Sequence, residues 1–100
     1  MTRAVLSTAA ERDILEIAEW IAVENPAAAR GFRAALDTIA TTLGDHPRIG
    51  ALKPELAAPP VRFVPLRGYP YIVVYTPDRD PPLILRVLHG ARDLPEILRV

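Results

Sequence analysis

The sequence predicts an α+β fold of order β-α-α-β-β-β, with an antiparallel helical hairpin packed on a small antiparallel sheet. Two observations carry that prediction. Proline is segregated: Pro26 is the only one before position 46, and ten follow it. Proline breaks helix interiors and central strands, so the first part can be helical and the second is divided into short strands and turns. The apolar pattern changes at the same place, from helical spacing to strand-like runs. A chain of 100 residues is expected to form one domain over 1–100, and it buries roughly 60–70% of its unfolded surface on folding.

The elements follow in order. Arg3-Ala4-Val5-Leu6 is a first short strand. Thr8-Ala9-Ala10-Glu11 has the form of a capping box, with Thr8 as N-cap and Glu11 reaching back. Ala10, Ile14, Ile17, Ala18 and Ile21 then recur at helical spacing. Asn25-Pro26 ends this helix and starts the next, because Asn caps and Pro suits the first helical position. Ala29, Phe32, Leu36, Ile39 and Leu43 form the second stripe, and Gly44 is placed to close it as C′ residue. A tight turn between two such helices makes them antiparallel.

After the turn residues Asp45 to Gly50 and a loop to Pro59-Pro60 come three runs rich in β-branched and aromatic residues: Val61 to Leu66, Tyr69 to Tyr75 and Leu83 to His89. Hairpin-length connections, Arg67-Gly68 and Pro77 to Pro82, make them antiparallel neighbours. Strand alternation puts Leu83, Leu85 and Val87 toward the helices and Ile84, Arg86 and Leu88 on the other face. Gly50, Gly68 and Gly90 read as turn residues, and Asp93-Leu94-Pro95-Glu96 as the start of a short closing helix.

Charge narrows the functional classes. Twelve basic and twelve acidic side chains cancel, but residues 1–45 carry seven acids and four bases, and the remainder five acids and eight bases. An acidic helical half is thus joined to a basic strand half. Zero net charge argues against wrapping nucleic acid by bulk charge, so no direct nucleic-acid binding is expected. No cysteine is present, which removes disulfides, thiolate nucleophiles and thiolate metal ligands. No apolar run approaches the ~18–20 residues that span a bilayer and no leader pattern opens the chain, so a cytoplasmic protein away from membranes is expected. No His, Asp and Glu cluster has metal spacing and no glycine forms a phosphate loop, so neither metal nor cofactor is expected.

Four stretches in order resemble one family: Glu24-Asn25-Pro26-Ala27-Ala28-Ala29; His46-Pro47-Arg48-Ile49-Gly50; Val61-Arg62-Phe63 followed by Tyr71-Ile72-Val73-Val74-Tyr75; and Arg86-Val87-Leu88-His89-Gly90-Ala91-Arg92-Asp93. Over nearly its whole length the chain resembles the ParE/RelE superfamily of bacterial type II toxin–antitoxin toxins, and the last stretch resembles the ParE branch. The resemblance implies a toxin neutralised by a cognate antitoxin, with DNA gyrase as target in the ParE branch and ribosome-bound mRNA as substrate in the RelE branch. RNA cleavage by 2′-OH attack needs a base, an acid and cations on the phosphate. Aligned on Tyr71 to Tyr75, the two lysine positions of the RelE-like nucleases fall on Phe63 and Pro65, the third-strand Arg on Ile72, and the late Tyr on Leu98. Only the late Arg is retained, as Arg92. A related nuclease branch ends its last strand with His-Tyr, where this chain has His89-Gly90. These departures disfavour a nuclease, and the resemblance then implies a ParE-like inhibitor of DNA gyrase that is not an enzyme. The alternatives are an mRNA endoribonuclease using His89 and Arg92, and a non-toxic homologue that only binds antitoxin.

The residues left as candidates for partner binding are Trp20, Arg62, Arg67, Arg86, His89 and Arg92. Trp20 lies one position off its helical stripe and reads either as a flank of the core or as a partner contact. Arg62, Arg86 and Arg92 read either as sheet-face side chains bridging local acids or as a patch for an acidic peptide, because the guanidinium fork binds carboxylates. His89 reads as a hydrogen-bonded residue closing the sheet or as an acid–base group. Asp93 reads as a helix cap or the partner of Arg92, and Tyr69, Tyr71 and Tyr75 as core or groove residues on one side of their strand.

Overall fold

A computed structural model describes residues 2–93 of the chain. It contains β1 (Val5–Leu6), α1 (Thr8–Glu24), α2 (Pro26–Asp45), β2 (Ala51–Leu52), β3 (Arg62–Pro65), β4 (Tyr71–Thr76) and β5 (Leu83–His89). The strands form one sheet in the order β1-β5-β4-β3-β2, and the α1–α2 hairpin packs on one face. The expected class and element order hold. The sheet itself is mixed, because β1 lies parallel to β5 while the other pairs are antiparallel. A strand whose chain returns only after a helical hairpin and three further strands is free to join in that direction. The proposed closing helix, and Leu98, lie outside the described residues.

The helices form where the stripes place them. Ala10, Ile14, Ala18, Phe32, Leu36 and Leu43 are buried, and Ile17, Ile21 and Ile39 pack against them partly exposed. Phe32, fully buried, meets the rings of Tyr69 and Tyr71 with centroids 5.7 and 5.6 Å away; such burial contributes about 1.5–3 kcal/mol. Asn25 serves both helices: its N–H donates to the Ile21 carbonyl, and its Oδ1 accepts from the Ala28 N–H at 3.0 Å.

Three local readings change. The N-cap of α1 is Ser7, not Thr8: the Ser7 hydroxyl accepts from the Ala10 N–H at 3.0 Å and donates to the Leu85 carbonyl at 2.8 Å. Its N–H still donates to the Ile84 carbonyl, so the strand runs to the residue where the helix begins and Glu11 falls one position beyond a capping box. Gly44 does not end α2, which continues to Asp45 with His46 as cap. A Cβ at Gly44 would overlap the Thr2 carbonyl oxygen and come within 2.9 Å of the Arg3 Cα. The N-terminal chain crosses α2 here, and the Ala4 N–H donates to the Ala40 carbonyl at 2.9 Å. The third change is a bulge on β5. Val74 pairs with Arg86 and Tyr75 with Ile84, leaving Leu85 as the extra residue. Ile84 and Val87 therefore both join the core beneath the helices, and Leu85 does not face it as alternation implies.

The outer sheet face is not bare. Phe63, Val74 and Leu88 form a second apolar cluster, covered by Leu56, Ala57 and Val61 of the β2–β3 connection. β2, too short to show a period, adds an edge to β3. The loop before it is pinned by Tyr75, whose hydroxyl donates to the Pro47 carbonyl and accepts from the Gly50 N–H, both at 2.8 Å. Burial pushes this hydroxyl above its ordinary pKa, against the pull of the Gly50 N–H and the Arg62 charge. Gly68 turns the β3–β4 connection at φ +89°, a conformation glycine adopts without strain.

Gly44 supplies a test of the crossing. Alanine in a helix is favoured over glycine by about 1 kcal/mol, but the added methyl meets backbone that cannot swing aside. Overpacking of this kind costs about 1–3 kcal/mol or more. Gly44→Ala is expected to lower the melting temperature, measured by circular dichroism, despite the gain in helix propensity.

Candidate functional site

β1 pairs only with Leu83 and Ile84, so the outer edge of β5 is open beyond them. Open edges need their backbone groups satisfied. Ser7 takes the Leu85 carbonyl, and Asp13 takes the Val87 N–H through Oδ2 at 3.0 Å. The same carboxylate receives Arg86 in fork geometry, Nε to Oδ2 at 2.7 Å and Nη2 to Oδ1 at 2.9 Å. Asp13 is 9% exposed and is the one buried charged side chain among the described residues. Its hydrogen bond with Arg86 raises the guanidinium above its ordinary pKa, outweighing desolvation.

Beside this pair, between α1 and the end of β5, lies a cavity of about 310 Å³. Glu16 and Trp20 line it from α1, Tyr71 from β4, and Arg86, Arg92 and Asp93 from the last strand and its turn. The turn is internally bonded. The His89 N–H donates to Asp93 Oδ2 at 3.2 Å, the Arg92 N–H donates to His89 Nδ1 at 3.2 Å, and Arg92 Nε pairs with Asp93 Oδ1 at 3.4 Å. The His89 ring sits edge-on to Tyr71 at 5.6 Å.

The six predicted partner-binding residues separate into three places. Trp20, Arg86 and Arg92 share the cavity, with His89 beside it. Trp20 is 71% exposed, more than a flank of the core would be, and among the described residues no strand pairs with β5 beside it. Arg62 holds the loop before β2, donating to the Gly50 carbonyl at 2.8 Å and to the Arg48 carbonyl at 3.3 Å. Arg67 borders a second, apolar groove of about 690 Å³ between α2 and β3, lined by Ala35, Ile39, Val64 and Leu66. Tyr75 is core, and Tyr71 is both core and cavity wall.

Asp13 and Glu16 are the functional neighbours that sequence reasoning missed. Asp13 carried a signal: three residues after Ala10 and four before Ile17, it stands on the apolar stripe, where an acid needs a partner. Among the described residues no group of three His, Cys, Asp or Glu could hold a metal ion, and no helix is long and apolar enough to cross a membrane.

The architecture is thus a helical hairpin on one face of a small mixed sheet, with recesses at the end of β5 and between α2 and β3. Residues 4–94 match the family described as the ParE toxin of type II toxin-antitoxin system, parDE, and the chain belongs to that family. Among solved structures it is similar to one titled "Chromosomal ParDE TA system from P. aeruginosa", at 21% identity and a TM-score of 0.73, covering 89% of this chain and 96% of that one. No curated protein matches.

Asp13 dictates the first test of the site. Arg86 is partly exposed, so its charge regains water when Asp13 is removed and the cost lies below that of breaking a fully buried pair. Asp13→Ala also frees the Val87 N–H. Denaturant unfolding is expected to show a loss of about 1–3 kcal/mol for Asp13→Ala and a clearly smaller one for Glu16→Ala, which removes no hydrogen bond among the described residues.

Proposed function

We propose that this ParE-family toxin acts in the cytoplasm as a non-enzymatic inhibitor of DNA gyrase, by protein contact, and is neutralised by a cognate antitoxin. The observation that carries the non-enzymatic reading is the outer sheet face. The positions that hold lysines and arginine in the RelE-like nucleases are Phe63, Pro65 and Ile72. Phe63 is buried under Leu56, Ala57 and Val61, and Ile72 packs against the same cluster. No group there can neutralise a phosphate or move a proton. Of the remaining pair, His89 accepts the Arg92 N–H at Nδ1, and Arg92 Nε lies 3.4 Å from Asp93 Oδ1; their action on RNA is what the extract assay below reads.

The α2–β3 groove supports the antitoxin part of the reading. It is apolar along Ala35, Ile39, Val64 and Leu66, and it ends at the exposed Arg67. A segment that folds on binding can lay an apolar helix face there and place a carboxylate on Arg67. The similar solved structure is named for a toxin–antitoxin system, in line with such a partner.

The test compares two activities of the purified chain. Gyrase supercoiling is expected to be inhibited, while mRNA in a translating extract stays intact. Cut mRNA that Arg92→Ala abolishes, with the fold kept, would establish the nuclease reading instead. Binding of an antitoxin with neither effect would leave the non-toxic homologue.

A further inference from the structure

The cavity at the end of β5 presents a definite charge pattern. Five charged side chains line it: Asp13, Glu16 and Asp93 against Arg86 and Arg92. Arg86 is matched by Asp13, and Arg92 by Asp93. Glu16 makes neither a hydrogen bond nor an ion pair among the described residues, and acts on Arg86 only by its charge at longer range. It stands one helical turn before Trp20, so the carboxylate and the indole share one face of α1 and the mouth of one recess. The wall behind them includes the apolar side chain of Ile17 and the ring of Tyr71.

A carboxylate beside an exposed indole, over an apolar wall, suits one kind of side chain. A guanidinium stacks on the indole face within about 6 Å while donating to the carboxylate, and its methylene stem covers apolar surface. An incoming carboxylate would compete with Asp13 for Arg86 and with Asp93 for Arg92, whereas Glu16 has no bonded cation to give up. The wider surface agrees in sign. The exposed charges of α1 are Glu11, Glu16, Glu19 and Glu24 against Arg12 alone.

We propose that the Trp20–Glu16 recess receives an arginine side chain of a partner protein, held by stacking on the indole and by the Glu16 carboxylate. The inference deepens the reading of a toxin that works by contact and rests on it only for the existence of a protein partner. It gives that partner a required chemistry: an arginine flanked by apolar residues. It also separates this surface from the α2–β3 groove, which ends at a cation and calls for an acid.

The chain has a single tryptophan, so its emission reports on this recess alone. The probe is a short blocked peptide, Ala-Leu-Arg-Leu-Ala, compared with the same peptide carrying citrulline, the neutral isostere, or glutamate in place of arginine. The arginine peptide is expected to change Trp20 emission saturably and to bind about tenfold more tightly than the citrulline peptide. Glu16→Gln, an exposed change checked for fold by circular dichroism, is expected to reduce that difference severalfold, leaving the part due to stacking on the indole. Equal titration by all three peptides, no saturable change at millimolar peptide, or preference for glutamate would overturn the inference. Emission that changes on dilution of the chain alone would overturn it in favour of a second copy. Gyrase inhibition by the wild-type chain is measured alongside. Its absence counts against the target only, whereas loss of discrimination between arginine and citrulline counts against the recess.

Discussion

The arrangement of this molecule depends on one carboxylate. Asp13 sits on the apolar stripe of α1, where it would be costly alone, and faces the edge that β5 exposes once β1 has ended. There it joins three donors, the Val87 N–H and two nitrogens of Arg86, so that backbone need and charge need are met together. The hairpin is thereby fixed to the sheet at a polar point as well as through apolar packing. The fixed edge then sets the wall of the recess in which Glu16, Trp20 and Tyr71 stand. Structure and surface chemistry share one cause.

The same constraint bears on function. Arginines on a small basic sheet suggest anion binding, and the sequence alone leaves that open. In the folded chain Arg86 is held by Asp13, Arg92 by Asp93, and Arg62 by the loop before β2. Of the five predicted arginine and histidine positions, Arg67 is the exposed cation with no ion pair among the described residues. Exposed apolar surface remains in the groove beside α2 and at the indole of Trp20.

Much of the fold was legible because its signals are local. Apolar stripes wrote the helices, Asn25-Pro26 wrote the turn, and β-branched runs wrote three strands. The unreadable parts depend on contacts distant in sequence. Ser7 caps α1 because its N–H is still held by Ile84, and Gly44 stays glycine because the N-terminal chain crosses it. Leu85 is extruded by a register shift, which no period of two reveals. The site follows the same rule. Trp20, Arg86 and Arg92 were visible as candidates, but the pairing that gives them their roles spans the chain from Asp13 to Arg86.

Native-state hydrogen exchange at the Val87 amide tests this account most directly. That N–H points away from β4 and toward solvent unless Asp13 holds it. The account predicts that it exchanges as slowly as the amides of the central strand β4, opening only with the fold as a whole. Exchange at the rate of an exposed edge amide, with β4 still protected, would contradict the claim that Asp13 closes the edge.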